Sequence, residues 1–131
     1  RKQVTVLFAD VRGSLELIQA LDPEEAGTLL QPAVQAMVDA VHRYEGTVNR
    51  VQGDGIMALF GAPLAHEDHA VRACFAALAM QDAVHRQAEA LRRSRGVPLH
   101  IRIGLNSGEV VIREIGSDLH TVLLAAGTQK E

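Results

Sequence analysis

Between Gly46 and Phe60 the chain reads as two short apolar or β-branched runs that meet at Gly53-Asp54-Gly55. Asp-Gly between such runs is the strongest short-range signal for a β-hairpin, because those residues tolerate the positive φ of a tight turn. The segment therefore predicts a hairpin with the Asp54 carboxylate at its tip. Residues 4–9 predict a second strand, apolar on both faces as a central strand should be, and it delivers Asp10 at its carboxyl end. Two acids on rigid strand ends suit a hard cation such as Mg²⁺, which takes oxygen ligands and leaves positions for phosphate. Asp10 and Asp54 are thus the expected metal–phosphate pair.

The remaining pattern supplies the frame. After Asp10 the chain is expected to break across Gly13-Ser14 into a helix carrying Leu15, Leu17, Ile18 and Leu21. Amides at such a helix start favour an anion. Asp22-Pro23-Glu24-Glu25 is a helix-start signature, with Asp as cap and Pro at the first position. An apolar stripe from Ala26 to Val41 follows it, with a kink or restart expected at Pro32. His66-Glu67-Asp68-His69 is read as the start of a long helix whose apolar stripe is Val71, Cys74, Phe75, Leu78, Val84 and Leu91. Cys74 is taken as inert core. Gly96 and Pro98 close that helix behind the basic Arg92, Arg93 and Arg95, a solvated helix end.

Two alternating runs come next, residues 99–105 and 109–113, joined by the turn signal Asn106-Ser107-Gly108. Leu99, Ile101, Ile103 and Leu105 share one face, while His100, Arg102 and Asn106 share the other, so Arg102 can face a site. The order predicts an α+β fold, a ferredoxin-like split β-α-β core with an added C-terminal hairpin strand and helices on one face of an antiparallel sheet. Residues 1–118 form the expected domain core and 119–131 an irregular tail.

Composition excludes several classes. A net charge of −3 gives no footprint for nucleic acid or an anionic membrane. No apolar run reaches the roughly 18 residues of a membrane span. The single cysteine rules out an internal disulfide framework and suits the cytoplasm. Opening on Arg1 directly before a strand, the chain is expected to be an excised domain. His66 and His69 could touch one ion, but zinc lacks a third ligand there and helix-start polarity accounts for both.

Phe8-Ala9-Asp10-Val11-Arg12-Gly13-Ser14, then Val51-Gln52-Gly53-Asp54-Gly55, then Arg102-Ile103-Gly104-Leu105-Asn106-Ser107-Gly108 resemble, in order, three motifs of the class III adenylate/guanylate cyclase catalytic domain. Phe60-Gly61-Ala62-Pro63 and His66-Glu67-Asp68-His69-Ala70 are similar to a bacterial branch of that family. The resemblance spans about residues 3–120. It implies that Asp10, Asp54 and the Val11 carbonyl hold two Mg²⁺ or Mn²⁺ ions. It implies that the substrate is a nucleoside triphosphate whose ribose 3′-hydroxyl attacks the α-phosphorus, with pyrophosphate leaving. Amides around Gly13 and Ser14 would contact the triphosphate beside Gly53, and Arg102 matches the family's phosphate-binding arginine. A homodimer is implied as well.

Three departures qualify what the resemblance implies. Arg50 stands where adenylate cyclases usually carry a lysine that helps choose adenine, and Val122 stands where the family has an acid that pairs with the base. A valine cannot accept that hydrogen bond, and an unpaired polar edge costs about 1–3 kcal/mol. The sequence ends at Glu131, before the family's helix bearing a transition-state asparagine and arginine. The leading expectation is a nucleotidyl cyclase domain making cyclic AMP from ATP, weak or inactive in this form. The alternative is a degenerate cyclase domain that senses nucleotide or dimerises without catalysis, and a third reading is a metal-free interaction domain. Taken alone, Asp54 reads first as a turn residue and Arg102 as a solvated strand residue, while Asp10 reads equally as a helix cap.

Overall fold

Alternation and turn chemistry produce one four-stranded antiparallel sheet in the order β2-β3-β1-β4. The computed structural model describes residues 2–13, 21–96 and 98–110. The strands are β1 (Lys2–Gly13), β2 (Thr47–Val51), β3 (Gly55–Phe60) and β4 (Leu99–Val110); the helices are α1 (Pro23–Arg43) and α2 (His69–Arg95). The sequence of elements and the strand order are those of the expected split β-α-β core.

Both helices cover one sheet face. Leu7, Ala9 and Val11 of β1 point to that side, as do Ile56, Ala58 and Phe60 of β3, packing with Leu30, Met37 and Val41 of α1 and Ala76, Met80 and Val84 of α2. Leu7, Met37 and Phe60 are wholly buried, and each contributes roughly 1.5–3 kcal/mol through apolar burial. The intervening residues of β1, including Phe8 and Asp10, face the other way. α1 begins where its capping signature lies: Asp22 accepts a hydrogen bond from the Glu25 amide at 2.8 Å. The kink or restart expected at Pro32 is not seen, and one helix runs through it. Leu30, Ala33 and Val34 are buried on either side of the proline, so packing outweighs one missing backbone bond.

Three further expectations are corrected. β1 does not end at residue 9 but continues through Gly13, whose ladder partner is Leu99. Asn106-Ser107-Gly108 is not a turn, because β4 runs unbroken and these residues pair with Val6, Thr5 and Val4. The long β1 offers partners along the whole of β4, and that ladder overrides local turn preference. The Ser107 hydroxyl is hydrogen-bonded to that of buried Thr5 at 2.6 Å. Glu109 and Val110, read as the start of an added strand, end β4 instead; residues 111–113, the helix read over Leu15 to Leu21 apart from Leu21 itself, and the tail at 119–131 lie outside the described residues.

The third correction concerns α2. Its buried residues are Ala73, Ala76, Met80 and Val84. Val71, Phe75 and Leu78 are each more than half exposed, and Cys74 is exposed rather than core. Of the expected stripe, Val84 is buried and Leu91 packs partly buried against the core, while Ala73, Ala76 and Met80 fill the rest of the contact. It also starts at His69 without acids in its first turn; Asp68 accepts from Arg72 Nε at 2.8 Å instead of capping. Among the described residues, no helix is long and apolar enough to cross a membrane.

Candidate active site

The hairpin tip and β1 meet beside one another. Asp10 lies in the ladder between Gly55 of β3 and Arg102 of β4. One residue on, the Val11 amide donates to the Asp54 carbonyl at 2.8 Å. The turn closes through the Gln52 amide and the Gly55 carbonyl, 2.8 Å apart, which leaves Gly53 and Asp54 exposed at its centre. Glycine at 55 follows from the closeness of the strands. A Cβ there would stand 2.3 Å from the Ala9 carbonyl oxygen and 3.0 Å from the Asp10 Cα.

Asp10 and Arg102 project from the sheet face away from the helices. Arg102 Nη2 donates to Asp10 Oδ2 at 3.1 Å, and Arg12 Nε lies 3.5 Å from Oδ1. With Phe8, Ile103 and Gly104, these two residues line an open hollow of about 340 Å³. A larger hollow of about 570 Å³ between the start of α1 and the end of α2 includes Asp22, Leu29 and Arg95, but it lies away from the sheet face that presents Asp10.

The expected site residues sort as follows. Asp10, Val11, Asp54 and Arg102 come together through the ladder and turn just described. Arg50 follows an irregularity in β2 and pairs with Met57, which in turn pairs with Phe8. Its side chain therefore belongs to the Asp10 face, one row along the sheet. Gly13 is the last residue of β1, and Ser14, with the turn and helix expected after it, lies outside the described residues. Sequence reasoning missed Arg12 as a partner of Asp10. The signal was the two-residue spacing, which puts both on one face once the strand continues beyond residue 9.

Whether these residues suit a divalent ion can be tested on the carboxylate itself. Asp10 Oδ1 is buried and accepts no hydrogen bond, the condition of an oxygen available to a cation. Among the described residues no group of three or more His, Cys, Asp or Glu side chains could hold a metal. A site here would draw its other ligands from backbone carbonyl, water and phosphate oxygens, as Mg²⁺ sites commonly do.

Residues 1–121 match the family model described as the adenylate and guanylate cyclase catalytic domain. Adenylate cyclase 1 of Rhizobium meliloti is 28% identical over 117 residues, which are 89% of this chain and 18% of that protein. The chain therefore spans less than a fifth of that relative. Among solved structures, guanylyl cyclase Cya2 superposes with a TM-score of 0.73 at 30% identity over 96% of this chain and 70% of its own. Adenylyl cyclase CyaB from P. aeruginosa gives 0.74 at 27% identity over 97% and 72%.

Proposed function

The chain belongs to the adenylate and guanylate cyclase catalytic-domain family, and on that premise we propose that the Asp10 face binds a nucleoside triphosphate and converts it to a 3′,5′-cyclic nucleotide and pyrophosphate. One observation carries the reading: Asp10 pairs with Gly55 at the hairpin end on one side and with Arg102 on the other, and its carboxylate shares one hollow with the Arg102 guanidinium. Asp10 and Asp54, with the Val11 carbonyl, are the ligands for Mg²⁺ or Mn²⁺. Two such ions, when bound, lower the pKa of the attacking 3′-hydroxyl and neutralise charge on the phosphates.

The chain's own residues bind and orient. Arg102 presents a planar guanidinium that can hold phosphate oxygens in pairs. Arg50 stands one row away on the same face and takes the part in choosing the base that the resemblance gives its position, while the amides of Gly13 and Ser14 with the Gly53 turn contribute to the triphosphate cradle. Substrate is ATP in this reading, as the relative named adenylate cyclase 1 suggests, in a cytoplasmic homodimer.

A second reading, nucleotide binding without turnover, is favoured by Arg50 and Val122 in the places where base-selecting lysine and acid are usual. Incubation with ATP or GTP and Mn²⁺, followed by detection of cyclic nucleotide, separates the two. The expected result is cyclic AMP that disappears in Asp10→Asn and Asp54→Asn. Metal-dependent ATP binding without product supports the second reading. Product that persists in both variants overturns the assignment of these carboxylates.

A further inference from the structure

We propose that Arg102 is an exchangeable counterion of the metal-site carboxylate, holding Asp10 until a nucleotide phosphate takes its guanidinium, so that metal and nucleotide bind cooperatively. This rests on the reading that Asp10 is a metal ligand. Both Asp10 oxygens face guanidinium groups: Oδ2 accepts from Arg102 Nη2 at 3.1 Å and Oδ1 lies 3.5 Å from Arg12 Nε. These are the oxygens a divalent ion needs. An ion and two guanidiniums crowded on one carboxylate repel one another, so the ion must displace a guanidinium to gain full contact.

Arg102 is the one placed to exchange. Exposure does not separate the two guanidiniums, at 63% for Arg102 and 55% for Arg12, but only Arg102 lines the hollow, with Phe8 and Gly104. A triphosphate there offers paired oxygen acceptors with more charge than the carboxylate, in the geometry a guanidinium fits best. The departing arginine therefore keeps a charged partner, and the carboxylate becomes available to the ion. Metal alone lacks that exchange and binds against the arginine. By linkage, each ligand raises the affinity for the other by the same factor.

The test is titration of the whole chain with Mn²⁺ alone, following the free-ion electron paramagnetic resonance signal. A parallel titration uses the complex of Mn²⁺ with 2′,3′-dideoxy-ATP, which has no 3′-hydroxyl to react. Arg102→Gln should bind Mn²⁺ alone about two- to five-fold tighter than the parent, the scale expected for an exposed ion pair. It should bind the nucleotide complex more weakly. A folding defect would weaken both, so the opposite signs are diagnostic, and Arg102→Lys should fall between parent and Arg102→Gln on the first measure. If Arg102→Gln binds Mn²⁺ alone no tighter than the parent while Asp10→Asn loses the ion, the exchange is overturned and the metal site survives. If neither parent nor Arg102→Gln takes up Mn²⁺ under any condition, both readings fall.

Discussion

Gly55 pairs with Asp10 where β3 leaves the hairpin, and its missing side chain lets the two backbones approach there. Any Cβ at 55 meets backbone, the Ala9 carbonyl at 2.3 Å, which cannot swing aside as a side-chain end would. Gly55→Ala should therefore push the strands apart and destabilise the chain by about 1–3 kcal/mol, read as a lower midpoint in urea denaturation. Metal affinity should fall with it, because the Val11 amide and Asp54 carbonyl lose their 2.8 Å bond. An alanine variant with unchanged midpoint would show that the strand ends are loose. Thr5 plays a comparable part deeper in the sheet. It is 1% exposed, and its hydroxyl lies 2.7 Å from His69 Nδ1 and 2.6 Å from Ser107 Oγ, tying β1 to β4 and to the first residue of α2. Thr5→Val keeps the shape and leaves two partners unsatisfied, at an expected cost of about 1–3 kcal/mol. A denaturation midpoint equal to that of the parent would sink that account.

At the scale of elements, part of α2 reverses what hydropathy suggests: beside buried Met80 and Val84, two alanines take the contact and two larger residues do not. Ala73 and Ala76 are fully buried, whereas Phe75 and Leu78 are 52% and 60% exposed. Ala76→Leu should thus cost about 1–3 kcal/mol by overpacking, while Leu78→Ser should stay within about 0.5 kcal/mol as an ordinary surface change. Thermal unfolding of the two variants side by side checks the order, and its reversal would restore the stripe of large residues as the buried face. This contrast marks what a sequence can disclose. The hairpin around Asp54 was legible because Gly-Asp-Gly interrupts two apolar runs, although none of its residues takes the positive φ of a tight Asp-Gly turn, and the placing of Arg102 opposite Leu99, Ile101 and Ile103 was legible because strand period is strict. Which face of α2 is buried depends on how closely a helix can approach its neighbours, which periodicity does not report. The extension of β4 through Asn106-Ser107-Gly108 depends on a partner strand a hundred residues away in sequence. Arg12 was missed for a related reason, since its relation to Asp10 exists only if β1 continues beyond residue 9.

The whole molecule sets the Asp10 sheet face against two helices that each begin beside an ionised carboxylate. At the start of α1, Asp22 has its pKa lowered from the ordinary 3.8, first by the hydrogen bond from the Glu25 amide. Just before α2, Asp68 is lowered likewise, first by the hydrogen bond from the Arg72 side chain. Arg72 Nη1 also reaches Glu45 at 2.7 Å, so this charged cluster links the end of α1 to the start of α2. A carboxylate whose folded pKa lies below its unfolded value binds protons more readily in the unfolded chain. Its contribution to stability is complete above the unfolded pKa and is lost as pH falls through the folded one. Melting temperature should therefore hold steady from neutral pH down to about pH 5 and decline below about pH 4, where the unfolded carboxyls begin to protonate. Asp22→Asn retains an acceptor for the cap but removes the charge, so it should lower the neutral melting temperature only slightly and flatten the acid decline. Arg72→Met should remove the Asp68 share of that decline as well. Thermal unfolding followed by circular dichroism between pH 7 and pH 3 distinguishes these slopes. An acid limb equally steep in parent and both variants would move the origin of acid sensitivity away from the helix starts.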